Sequence, residues 1–156
     1  MIASHPKVTE ELHAVYSADG VVKIPNAVSE EWLPQIEAMA DAQLLDPGRW
    51  VTDTNPGATR DRLFTSRYRW KSDPMVNRYI YESGVGHIAA ALMGSASARF
   101  YFDHLLIKEP KTQAPTPWHQ DMPYYCVDGN DTGSLWIPLD NVDKENNLKL
   151  IWLLML

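Results

Sequence analysis

The sequence predicts an α+β domain of jelly-roll type, with a helical amino-terminal half leading into a run of strands. Three observations carry that reading. Up to Gly94 the apolar residues recur at helical spacing, beyond Gly94 the chain turns aromatic and aliphatic in strand-like runs, and the length suits one domain. With 156 residues, 45% hydrophobic and 22% charged, the chain lies in the ordinary globular range, which excludes disordered, collagenous and coiled-coil classes.

Thr9 reads as an N-cap, because Glu10 and Glu11 fill the first turn and Leu12, Val15 and Tyr16 share a face of a helix reaching Ala18. Val21 to Ile24 is a compact apolar run closed by Pro25-Asn26, the pattern of a minimal buried strand. Ser29, Glu30 and Glu31 announce a helix whose Trp32, Ile36, Met39 and Ala40 form an apolar face extending to about Leu45, with Pro34 tolerated near its first turn. Residues 46–61, DPGRWVTDTNPGATRD, have the composition of an irregular surface loop, expected to cover the substrate. Asp73-Pro74 caps a helix over Met75 to Glu82, and Val85 to Met93 forms another that Gly94 stops. Strands are expected over Arg99–Lys108, His119–Tyr125 and Ser134–Leu139, the last two joined by the turn Asp128-Gly129-Asn130.

Net charge and cysteine use narrow the function. Fourteen basic against twenty acidic residues leave −6, giving no electrostatic reason to bind nucleic acid or an anionic membrane. A small-molecule partner is expected instead. The single Cys126 can form neither an internal disulfide nor a Cys/His zinc pattern and is expected as a small buried hydrophobe. No signal-peptide pattern opens the chain and no run approaches the roughly 18 apolar residues of a membrane span, so the expected setting is cytoplasmic.

The chemistry concentrates in Pro117-Trp118-His119-Gln120-Asp121. On a strand, His-x-Asp sends both side chains to one face about 7 Å apart, where they can share a metal, while Gln120 points away. An imidazole and a carboxylate joined by a second histidine make the facial triad of non-haem iron(II) oxygenases, which leaves positions open for substrate and oxygen. A bare His-x-Asp arises by chance in roughly one chain in six or seven of this length. The context therefore matters: a Pro-bearing loop leads in, Trp118 shields one side, and FYFDHLLIKEP and SLWIPLDNV bracket the motif.

These residues resemble the phytanoyl-CoA dioxygenase family of iron(II) and 2-oxoglutarate dependent oxygenases. The resemblance runs from about Tyr16 to Asn147 through YSADGVVKIPNAVS, DHLLIKEPKTQAPTPWHQD and GSLWIPLDNVDKENN. It implies a double-stranded β-helix (jelly roll, cupin-like), with His119 and Asp121 as the first two iron ligands. It also implies Fe(II) as cofactor, 2-oxoglutarate as cosubstrate, and hydroxylation of a small organic substrate by dioxygen. Trp136 matches an aromatic flanking the cofactor pocket. His104, fifteen residues before His119, stands where some relatives place a basic residue that contacts oxoglutarate. For both residues plain core packing is the competing reading, and Lys108 reads as a solvated strand end.

The pattern breaks after Asn147. The family continues with a glycine, a strand, a Pro-Gly-Ser-His turn carrying the second iron histidine, and an arginine for the far oxoglutarate carboxylate. Here Leu148 to Leu156 read LKLIWLLML, and no histidine or arginine follows Asp121. The expectation is one partial oxygenase domain over 1–147, helical over about 9–94 and β over about 98–147, with 148–156 as an aberrant hydrophobic tail. Such a chain would be inactive alone. The rival reading is a non-catalytic jelly-roll binding module with weak metal affinity, and a partner protomer completing the site is a further possibility.

Overall fold

The computed structural model describes residues 5–112, 119–129 and 131–139 and the backbone of 150–155. These residues build a mixed α+β fold, one antiparallel sheet with helices packed on one of its faces. The predicted segments at 113–118 and 140–149, including Trp118 and the DNVDKENN stretch, lie outside the described residues.

Local signals place the helices. Helix α1 (Glu10–Asp19) starts where the Thr9 hydroxyl accepts the Leu12 N–H at 3.2 Å, and stops at Gly20, whose φ of 72° lets its N–H reach the Tyr16 carbonyl. It is peripheral, with no fully buried residue, and its Val15 is exposed, contrary to the expected apolar face. The His13 ring Nδ1 donates to the Leu92 carbonyl at 2.8 Å, tying this helix to α4 (Val85–Leu92). Helix α2 (Leu33–Leu45) is preceded by a 3-10 turn over Glu30–Trp32 and tolerates Pro34 in its first turn. Helix α3 (Pro74–Glu82) is capped by Asp73, whose carboxylate accepts the N–H groups of Met75 and Val76 at 2.9 and 3.4 Å. No helix among the described residues is long and apolar enough to cross a membrane.

The strands are β1 (Val51–Asp53), β2 (Leu63–Arg67), β3 (Phe102–Lys108), β4 (Ser134–Pro138) and β5 (Leu150–Met155). Their order across the sheet is β1-β2-β3-β5-β4, every neighbouring pair antiparallel. Phe64, Leu105, Ile107 and Ile137 point to one face and meet Trp32, Ile36 and Met39 before and in α2, and Val76, Tyr79 and Ile80 of α3. Alternation sends Arg67, His104, Ser134 and Trp136 to the opposite face, which the helices leave bare.

Several expectations are corrected. Val21–Ile24 forms no strand: the segment has no ladder partner among the described residues, and Val21 is 70% exposed. The expected loop at 46–61 contains β1, which pairs with the unpredicted β2. The bidentate ion pair of Arg62 with Asp53, at 2.7 and 3.0 Å, fastens the turn between them. No strand runs from His119 to Tyr125; Met122–Tyr124 is a 3-10 turn, with Asp121 at its start in a right-handed helical conformation. Cys126 is exposed, not buried. Residues 150–155 of the expected aberrant tail form β5, hydrogen-bonded between β3 and β4. The described residues contain one sheet, and the second, facing sheet of a jelly roll is not among them.

Candidate functional site

The site lies on the bare face of the sheet. His119 and Asp121 flank a bend entering the 3-10 turn, and there the His119 Nε2 lies 3.2 Å from Asp121 Oδ1. A bend at Asp121, just before the 3-10 turn, and not strand alternation, brings them together. Both remain accessible, with side chains 42% and 40% exposed. The Ser134 hydroxyl at the start of β4 donates to the other carboxylate oxygen, Asp121 Oδ2, at 3.3 Å. Tyr125 bonds through its hydroxyl with both Ser134 and Asp121; burial, followed by the Asp121 charge, pushes this phenol up to about 12. Its ring packs edge-on against Tyr101 and Phe102, and the Tyr101 hydroxyl in turn accepts the Cys126 N–H at 3.2 Å.

His104 comes from the middle of the sheet. It pairs in register with Arg67 of β2 on one side and Leu153 of β5 on the other, and Leu153 in turn pairs with Trp136. Arg67, His104 and Trp136 thus lie along one cross-strand row. Burial first, and the Arg67 charge second, draw the His104 imidazole down to about 4, against an upward pull from Asp121. His104 is therefore neutral near pH 7, and its Nε2 is buried without a hydrogen-bond partner among the described residues. Trp136 is half exposed, so the core-packing reading does not hold for it.

The 3.2 Å contact is an ion pair when His119 is protonated, and a neutral imidazole beside a carboxylate is a donor pair that could occupy two positions of an iron site. Two neighbouring donors about 2.1 Å from one octahedral ion lie about 3.0 Å apart. The His119–Asp121 separation of 3.2 Å is close to that, and Ser134 holds the second oxygen, Oδ2, while Oδ1 lies against the imidazole. Among the described residues no group of three His, Cys, Asp or Glu side chains could hold a metal, so His104 does not complete a triad.

The family model described as phytanoyl-CoA dioxygenase matches residues 16–147. The chain belongs to the phytanoyl-CoA dioxygenase family. Membership implies the iron and 2-oxoglutarate dependent dioxygenase superfamily, whose members typically use Fe(II) and 2-oxoglutarate. Comparison with curated proteins and with solved structures gave no match. The family match spans the whole site, from Arg67 through His104 and His119 to Trp136.

Sequence reasoning missed Arg67, Tyr125 and Ser134. Arg67 ends LFTSR, whose alternation is detectable but flanked by charged residues that mask the strand. Tyr125 and Ser134 carry no spacing signal, because their meeting at Asp121 is set by the turn at 122–124 and the start of β4.

Proposed function

We propose that this phytanoyl-CoA dioxygenase family member is an iron(II) and 2-oxoglutarate dependent hydroxylase of a small organic substrate, with His119 and Asp121 as two of its metal ligands. The observation that carries the reading is the 3.2 Å approach of His119 Nε2 to Asp121 Oδ1 on the sheet face that the helices leave open. Iron bound there supplies the oxidising chemistry, coupling oxygen and oxoglutarate to hydroxylation. The chain's own residues orient and shield. Ser134 and Tyr125 fix the Asp121 carboxylate, neutral His104 offers a buried ring nitrogen toward a cosubstrate, and half-exposed Trp136 provides an aromatic wall. Dioxygen and a small-molecule substrate are the partners in this reading, with neither nucleic acid nor membrane, in a cytoplasmic setting.

Two donors alone hold a metal weakly, and no third ligand stands among the described residues. This favours little turnover from the 156-residue chain by itself, and it keeps a second reading, a binding module of weak metal affinity. Titration with Co(II), an inert surrogate for iron, tests the site. Wild type is expected to bind, and His119→Ala or Asp121→Ala to lose binding at least tenfold, with Gln120→Ala unchanged. Equal binding by all four proteins removes the site. Succinate release with iron and oxoglutarate then separates the readings, since turnover above background identifies the hydroxylase and its absence with intact Co(II) binding favours the module.

A further inference from the structure

A cleft opens where β2 runs into the turn before α3. Its volume is about 410 Å³, within the roughly 300–1,000 Å³ of small-molecule sites. Arg49, Arg67, Arg69 and Lys71 line it together with Trp50, Tyr68 and Ser72, and no carboxylate among the described residues does. Four cations around one opening are unexpected in a chain of net charge −6. Among the described residues none of the four belongs to an ion pair.

The backbone is built to gather these charges. Tyr68 sits in the left-handed region, with φ 61°, so the chain turns sharply between Arg67 and Arg69. The fully buried Asp103 pins that turn. Its carboxylate accepts the N–H groups of Arg69 and Trp70 at 3.2 and 3.0 Å, and its carbonyl accepts the Tyr68 N–H at 3.2 Å. Arg69 lies along Gly48, whose φ of 66° favours glycine and where a Cβ would meet the guanidinium and push that side chain aside. Arg49 rests over the Trp50 ring at 5.2 Å, and Trp50 meets Tyr68 edge-on. The Nε–H donors of Arg67 and Arg69 are buried and have no acceptor among the described residues. Buried charged donors without acceptors are rare in folded proteins unless a ligand provides one.

We propose that this cleft binds a phosphate group, either free or as an ester or diphosphate of a small molecule. Three guanidinium forks match phosphate oxygens, and a multiply charged phosphate offsets more of the fourfold positive charge than a carboxylate does. The cleft shares Arg67 with the row that holds His104, but the assignment does not depend on metal binding, since it uses none of His104, His119, Asp121 or Trp136.

The test is calorimetric titration of the 156-residue chain, without metal, with pyrophosphate and separately with succinate at one fixed ionic strength. Pyrophosphate is expected to bind at least tenfold more tightly than succinate. Arg49→Gln and Lys71→Gln, at exposed positions where folding is undisturbed, are each expected to weaken it about fivefold. Arg60→Gln, exposed and outside the cleft, and His119→Ala are expected to leave it unchanged. Matching thermal melts confirm that the variants are folded. Absence of pyrophosphate binding, equal binding of succinate, or wild-type affinity in both Arg49→Gln and Lys71→Gln overturns the proposal. Loss of Co(II) binding without loss of pyrophosphate binding would remove the oxygenase site and leave the phosphate site standing.

Discussion

Replacing Asp103 by alanine tests the link between core and site. The Asp103 side chain is completely buried on the helix-facing side of β3, where its two oxygens take the N–H groups of Arg69 and Trp70. Asp103→Ala strands both donors, and each buried unsatisfied group costs about 1–3 kcal/mol. Part of that is returned because a carboxyl disfavoured by burial is removed, leaving a net loss of about 3 kcal/mol. For a chain of this size that lowers Tm by about 6–12 °C. Asp103→Asn keeps one carbonyl acceptor and should lose about half as much. Burial holds the Asp103 carboxyl above its ordinary value, outweighing the N–H donors that favour the charge. The protonated form therefore favours the fold. That contribution is complete below the unfolded value of about 3.9 and fades as pH rises through the folded value. The stability advantage of wild type over Asp103→Asn should accordingly shrink as pH rises above about 4. Urea unfolding followed by far-UV circular dichroism measures both effects. An Asp103→Ala protein within 1 kcal/mol of wild type, or an advantage that grows with pH, refutes the reasoning.

Other perturbations probe the loop, the cleft and the exposed thiol. Asp53→Asn breaks the Arg62 clamp, whose side chains are only 9% and 15% exposed, and should cost about 2–3 kcal/mol in denaturant unfolding. Because the Arg62 hydrogen bonds hold the Asp53 carboxyl below its usual range, this stabilisation is present above about pH 3.9 and is lost as pH falls through the folded value. Acid titration of the variant should show a correspondingly weaker loss than wild type. Gly48→Ala, at φ 66° and against Arg69, should cost about 1–2 kcal/mol by thermal melting and weaken pyrophosphate binding, whereas Gly57→Ala, strained but in open space, should affect stability alone. Exposed Cys126 should react with a thiol reagent at one equivalent per chain before any denaturant is added, and a thiol that reacts only on unfolding would contradict its placement.

What was legible in the sequence was chiefly what local chemistry decides. Thr9 and Asp73 mark their helices because a cap needs only the N–H groups two or three residues on. Pairing is another matter. Val21–Ile24 has the composition of a strand but finds no ladder, whereas Leu63–Arg67, with polar residues at alternate places, becomes β2 because β3 lies alongside. The same division runs through the site. His-x-Asp does bring its two side chains together, but strand alternation would hold them about 7 Å apart. The turn entering Met122–Tyr124 instead brings them into direct contact. Arg67 and Ser134 were invisible because their proximity to His104 and Asp121 comes from register between segments far apart in the chain.

That register also explains why reactive groups and core can share one strand. Along β3 the buried positions Asp103, Leu105 and Ile107 alternate with Phe102, His104, Leu106 and Lys108 on the bare face. Sliding β3 by one residue against β2 would exchange the two sets. Leu105 and Ile107 would leave the helices, His104 would enter the apolar layer, and Asp103 would release the turn that carries Arg69. Burial of Leu105, Ile107 and the facing Phe64 opposes such a slip by several kcal/mol, at about 1.5–3 kcal/mol for each large side chain. The core residues therefore do more than stabilise the fold. Through a two-residue period they decide that the imidazole of His104 and the guanidinium of Arg67 stand on the same face as His119 and Asp121, and that Asp103 stands on the other, where it shapes the basic cleft from beneath.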